Sequence, residues 1–135
     1  MSQTVESLPK WFDQLFGSLF FQPDDDLALK TFTEGFSPDF TARINSTKFT
    51  YAQFKEFIIT ARDSNTFTPL SRDEIMTWNA PEASGAGSVV QSGWFAAKNK
   101  QTGEVSRTKA VTLATVGVVN GKRVLLELAE TSKGE

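Results

Sequence analysis

Apolar positions recur at helical intervals through the early part of the chain and at strand intervals through the later part. Leu8, Trp11, Phe12, Leu15, Phe16, Leu19 and Phe20 share one helical face. Ser7 supplies a cap, and Pro9 falls in the first turn, where a missing N–H does little harm. The run stops at Gln22-Pro23, and Asp24, Asp25 and Asp26 open a second helix, their charge suited to the positive end of its dipole. Leu27, Ala28, Phe32 and Phe36 form its inner face, and Gly35 with Ser37-Pro38 ends it. Asp39–Ile44 reads as a strand that turns at Asn45-Ser46 and returns at Lys48-Phe49. Thr50 and Gln53 then make a capping box, and Phe49 and Phe54 a hydrophobic staple, so a third helix starts here with Phe54, Phe57, Ile58 and Ala61 on its apolar face.

From about Phe67 the period becomes strand-like. Leu70–Trp78 alternates imperfectly, residues 79–87 form a loop, and Ser88–Lys98 is a further strand. A turn at Asn99–Gly103 leads into a strand over Val105–Val119, and Asn120-Gly121 is a two-residue hairpin signal leading into Lys122–Glu130. An uninterrupted ladder from that turn sets Val111, Leu113, Thr115, Val124, Leu126, Leu128 and Glu130 on one face. Ala110, Thr112, Ala114, Val116, Val118, Leu125 and Ala129 then share the other, together with Arg123 and Glu127. The bulkier set is expected to pack on the helices. The second set is too apolar for simple exposure and points to a homodimer through the outer sheet face.

Length and composition narrow the function. The 135 residues make one domain, 1–135, with 39% hydrophobic and 22% charged residues. A net charge of −2 with no basic cluster argues against nucleic acid. No apolar run spans a bilayer, and the N-terminal stretch lacks the features of a signal peptide, so no membrane and a cytoplasmic location are expected. There is no cysteine and no histidine, which removes disulfides, thiolate nucleophiles, Cys or His metal sites and any Ser-His-Asp triad. Asp24–Asp26 lack the alternating ligands and internal glycine of a calcium loop, so neither metal nor cofactor is expected. Ser84–Ser88 is glycine-rich, but no helix follows to make a phosphate cradle. The sequon Asn45-Ser46-Thr47 has no secretory context. Twelve Phe and three Trp against one Tyr build an apolar core or an apolar pocket. What remains for chemistry is carboxylates, whose pKa burial can raise into a useful range. Glu130 is the first candidate, on the helix-facing side of the last strand, and Asp39 the second, at the mouth of the first. Asp73 or Glu74 is a further inward candidate.

The aromatic first helix ("WFDQLFGSLF"), the unit "GFSPDFTARINSTKFTYAQFKEFI" and the terminal hairpin "VNGKRVLLELAE" together resemble the NTF2-like superfamily, within it the SnoaL-like branch, over essentially the whole chain. The resemblance implies an α+β cone, with three N-terminal helices packed in a strongly curved antiparallel sheet around an apolar cavity. On that basis Trp11, Phe12, Phe54, Met76, Trp78, Trp94, Leu113 and Thr115 are expected to contact a small apolar ligand, and the outer sheet face to form the dimer. Functions in the superfamily range from isomerases, dehydratases, epoxide hydrolases and cyclases to transport adaptors. This chain departs from the catalytic types: it has no histidine, its first helix carries no tyrosine, and Arg72 and Asp73 are adjacent rather than spaced as Arg-x-Asp. Three readings stay open: a small-molecule pocket protein, a cofactor-free isomerase, lyase or cyclase using a buried carboxylate, and a dimeric interaction adaptor.

Overall fold

The computed structural model describes residues 6–81 and 85–135. Met1–Val5 and Glu82, Ala83 and Ser84 of the expected loop and glycine-rich run lie outside the described residues. The order is α1 (Leu8–Phe20), α2 (Asp25–Gly35), β1 (Phe36–Ile44), β2 (Thr47–Thr50), α3 (Tyr51–Ser64), β3 (Asn65–Asn79), β4 (Gly87–Asn99), β5 (Val105–Val119) and β6 (Lys122–Gly134). The local signals explain the boundaries. Ser7 caps α1, and the Asp24 carboxylate accepts from the Asp26 and Leu27 amides at the start of α2. Both halves of the Thr50/Gln53 capping box are made, at 3.2 and 3.0 Å, and the Phe49 and Phe54 rings meet edge to face at 6.0 Å. Asn45 (φ 55°) turns β1 into β2, and Asn120 (φ 52°) with Gly121 (φ 77°) turns β5 into β6, the left-handed pair of a tight hairpin.

The six strands lie in the order β2-β1-β6-β5-β4-β3. Every neighbouring pair is antiparallel except β1 with β6, which is parallel, so the sheet is mixed and not antiparallel throughout. The cause is the route of the chain. α3 carries it from β2 at one edge to β3 at the other, and the meander returns across the sheet until β6 arrives beside β1 running the same way. Parallel pairing of strands this far apart in sequence leaves no local signal.

The β5–β6 ladder contains a bulge that the continuous register lacks. Val116 pairs with Leu125 but Thr115 pairs with Glu127, leaving Leu126 as the extra residue. The side chain of Leu126 lies over Gly117, where an added Cβ would come within 2.9 Å of Leu126 Cδ1. Because of this step Leu128 faces Ala114 and Glu130 faces Thr112, instead of Leu113 and Val111. The inner face of β5 is therefore the small one: Thr112, Ala114 and Val116 are buried, while Val111 and Leu113 stand 41% and 44% exposed. Glu130 still points inward, since the switch lies in β6 upstream of it.

The buried centre is mostly phenylalanine. Phe32, Phe36, Phe40 and Phe54 form a chain of rings at 4.5, 4.7 and 5.1 Å between centroids, joined by Leu8, Phe12, Leu19, Ile58 and Leu125. Arg62 of α3 is buried with them. Its guanidinium donates to the carbonyl oxygens of Leu19 at 2.8 Å and Gln22 at 2.9 Å, and pairs with Asp25 at 2.8 Å. A cation thus closes the negative end of α1 and links all three helices.

Candidate functional site

Toward the Thr108 end of β5 the inner face narrows to Thr108, Ala110 and Thr112, and the opposing α1 carries Gly17. Small residues on both sides leave a cavity of about 560 Å³ between α1, α3 and the sheet. Phe16, Phe20, Phe57, Phe67 and Phe95 form much of its wall. They are ordered by ring contacts that cross elements: Phe20 meets Phe67 at 5.6 Å, and Phe67 meets Phe95 at 6.1 Å, both edge to face. Such contacts hold the rings in place without filling the space.

Two carboxylates enter this apolar wall. Glu130 extends from β6 and accepts from Thr112 Oγ1 at 3.3 Å. Burial pushes its carboxyl up from the ordinary range, against hydrogen bonds from Thr112 and Ser132 that pull the other way. Asp13 extends from α1. One of its oxygens lies 2.9 Å from Arg72 Nη2, and the other accepts from Gln91 Nε2 at 3.3 Å. Burial raises this carboxyl too, with Arg72 and Gln91 acting against it and Glu74 adding to it. The Gln91 Oε1 atom is buried with no partner among the described residues. Gln91 is turned so that its amide nitrogen meets the carboxylate, which leaves the carbonyl oxygen without a donor.

Of the residues expected at the site, Phe12, Phe54, Trp94 and Glu130 border this cavity. The others do not, each for a definable reason. Trp11 packs half-buried against the core, outside the wall. Asp39 is exposed and away from the cavity. Bulges at Pro69/Ser71 and Glu74/Met76 switch the inward parity of β3, so Arg72 faces the helices while Met76 and Trp78 stand 66% and 57% exposed outside. Leu113 and Thr115 belong to the outward set of β5. Trp94 borders the cavity, yet its register partner Lys109 is also in that outward set. The Arg107 guanidinium lies 5.5 Å over its ring, so the indole covers the outer face.

The same order and topology recur in solved structures. A conserved protein from Planctomyces limnophilus superposes with a TM-score of 0.74 at 9% identity, over 93% of this chain and 91% of its own. A ketosteroid isomerase-like protein from Erwinia carotovora matches with a TM-score of 0.67 at 10% identity, over 92% of this chain and 91% of its own. An NTF2-like protein from an Exiguobacterium species matches with a TM-score of 0.59 at 16% identity, covering 93% of this chain and 97% of that one. The fold is NTF2-like. At such identities the likeness is one of fold. No protein-family model matches this chain, and no curated protein does.

Within this NTF2-like frame, three polar residues of the site escaped sequence reasoning. Asp13 follows Trp11 and Phe12 and passes for a residue of the polar helix face, yet it stands three and seven positions before Phe16 and Phe20, on their side of α1. Gln91 faces inward by the plain alternation of β4, but Arg72 does so only because of the β3 bulges. Gly93 carries a sign of these, since a Cβ there would lie 2.7 Å from the Ser71 carbonyl oxygen. Among the described residues no helix is long and apolar enough to cross a membrane.

Proposed function

We propose that this NTF2-like protein binds a small, largely apolar molecule between α1, α3 and the inner sheet face. The observation that carries the reading is the cavity of about 560 Å³, within the size range of small-molecule sites, with a wall of phenylalanine rings and only a few polar groups. Native mass spectrometry of freshly purified protein, followed by denaturation, tests it directly. A bound mass released on unfolding supports the reading and identifies the compound. Protein that carries no added mass, and takes up none from a panel of apolar compounds, overturns it.

A second reading is favoured by Glu130. A desolvated carboxyl beside a hydroxyl can take and return a proton, as an isomerase, lyase or cyclase of SnoaL type would require. The fold likeness to a ketosteroid isomerase-like protein agrees with it as analogy. Turnover of the released compound that is lost in Glu130→Gln supports catalysis, whereas unchanged compound leaves binding alone.

We propose in addition that a second copy covers the outer sheet face. Met76, Val90, Leu113 and Ala129 lie in one row across four strands, flanked by Trp78 and Val111. A two-fold contact lets one such apolar patch cover its own image.

A further inference from the structure

The wall specifies the polar group that the ligand must carry, an inference that rests on the binding reading above. Among the described residues three ionisable side chains line the cavity: Asp13 of α1, Arg72 of β3 and Glu130 of β6. Two are acids and one is a base. The base is already engaged, with Arg72 Nη2 2.9 Å from Asp13 Oδ2, and the other Asp13 oxygen is held by Gln91 at 3.3 Å. Glu130 has only hydroxyl neighbours, Thr112 and Ser132, and no cation pairs with it among the described residues.

Each ligand charge would meet this wall differently. An anion would enter against Glu130, with the one cation of the wall tied to Asp13. A neutral molecule would leave Glu130 without a counter-charge in a largely apolar wall, where the carboxyl must either take up a proton or stay ionised at a cost. A cation would pair with Glu130, and the electron-rich faces of Phe16, Phe20, Phe57, Phe67 and Phe95 would attract it as well. We infer that the ligand is an apolar amine, bound as its ammonium ion on Glu130 with its hydrocarbon body against the phenylalanine rings. Asp13 and Arg72 pair their charges with each other, Gln91 Oε1 being the one unpartnered atom of the cluster, which leaves the charge of Glu130 to the ligand.

The test uses three probes with one ring system and different charge: naphthylmethylamine, naphthylmethanol and naphthoic acid. Each is titrated calorimetrically into the full chain near neutral pH. The amine is expected to bind about tenfold more tightly than the alcohol, the advantage of a charge-assisted contact over a neutral one. The acid is expected to bind more weakly than either. In Glu130→Gln the amine should lose its advantage over the alcohol. Should that variant lose its cooperative melt, the wild type decides by pH. The amine's advantage should shrink as falling pH protonates Glu130. Asp13 is the other wall carboxyl that burial raises, with Arg72, Gln91 and Glu74 facing it, so the same acid comparison is made in Asp13→Asn, where the loss should persist. An alcohol that binds as tightly as the amine overturns the inference while leaving the binding reading intact. An amine preference that survives Glu130→Gln, or that is undiminished in acid, also overturns it. Binding of none of the three, with no released mass, removes both.

Discussion

Glu130 is held where an ionised carboxyl is poorly solvated, and this makes stability depend on pH with a definite sign. Its carboxyl keeps its proton to higher pH in the folded chain than in the unfolded one. Between those two pKa values the native state binds more protons, so this group's contribution to stability falls as pH rises. Glu130→Gln is therefore expected to melt above the wild type at neutral pH, with the gap closing as pH drops below the ordinary glutamate range, about 4.3. Melting curves across that range check it, and an offset that does not vary with pH contradicts it. Gly17 offers a second residue-scale prediction. It lines the cavity, and an added Cβ meets nothing within 4 Å. Gly17→Leu should fill part of the space, abolish uptake of an apolar probe, and raise helix stability by about 0.8 kcal/mol. Retained uptake with an unchanged melt would place the binding elsewhere. At this scale the inward side of Glu130 was legible from its parity with Leu128 on the same strand, although the count from Asn120-Gly121 crosses the Leu126 bulge. Asp13 was not, since a lone acid among aromatics has the same look on either helix face.

At the scale of elements, the three helices are linked by Arg62. Its position falls four residues after Ile58 and eight after Phe54, inside the buried stripe of α3, so the sequence does carry a sign of it. What it binds, the Leu19 and Gln22 carbonyls at the end of α1 and Asp25 at the start of α2, depends on how the helices cross. Arg62→Met keeps the volume but strands those acceptors. A loss of about 3 kcal/mol is expected from chemical denaturation, since a buried unsatisfied acceptor costs about 1–3 kcal/mol. A loss under about 1 kcal/mol would mean that water replaces the guanidinium. Among the strands, the isolated glycines are the marks of irregularity. Gly117 makes room for the bulged Leu126, and Gly93 for the carbonyl of Ser71. Alternation counted across such points exchanges the two faces, which is how Leu113 and Thr115 came to be expected inside and Ala114 outside.

At the scale of the whole molecule, that exchange leads to opposite outcomes for neighbouring substitutions. Ala114 is fully buried, and Ala114→Asp should prevent folding by placing a carboxylate in the core. Leu113, next to it, is 44% exposed on the proposed dimer face. Leu113→Asp should leave the melt of the protomer nearly unchanged while converting a dimer to a monomer in sedimentation or light scattering. A wild type that is monomeric at micromolar concentration rules out the dimer. A wild-type dimer that survives Leu113→Asp places its interface on another surface. Sheet and cavity are also linked at this scale, because the small inward residues of β5 that leave the cavity its space are the ones the bulged ladder sets opposite Leu128 and Glu130.

The sequence by itself determined what depends on near neighbours in the chain. The caps of α1, α2 and α3, the Phe49–Phe54 staple, the Asn120-Gly121 hairpin and the element order all follow from interactions a few residues long. Only the tertiary structure decided the parallel pairing of β1 with β6, the face of Trp94, the Asp13–Arg72 pair and the wall of the cavity. Each of these hangs on the route of the backbone between distant strands or on a single extra residue in a ladder. A bulge of one residue alters no local propensity that would reveal it, yet it exchanges every side chain beyond it between core and surface.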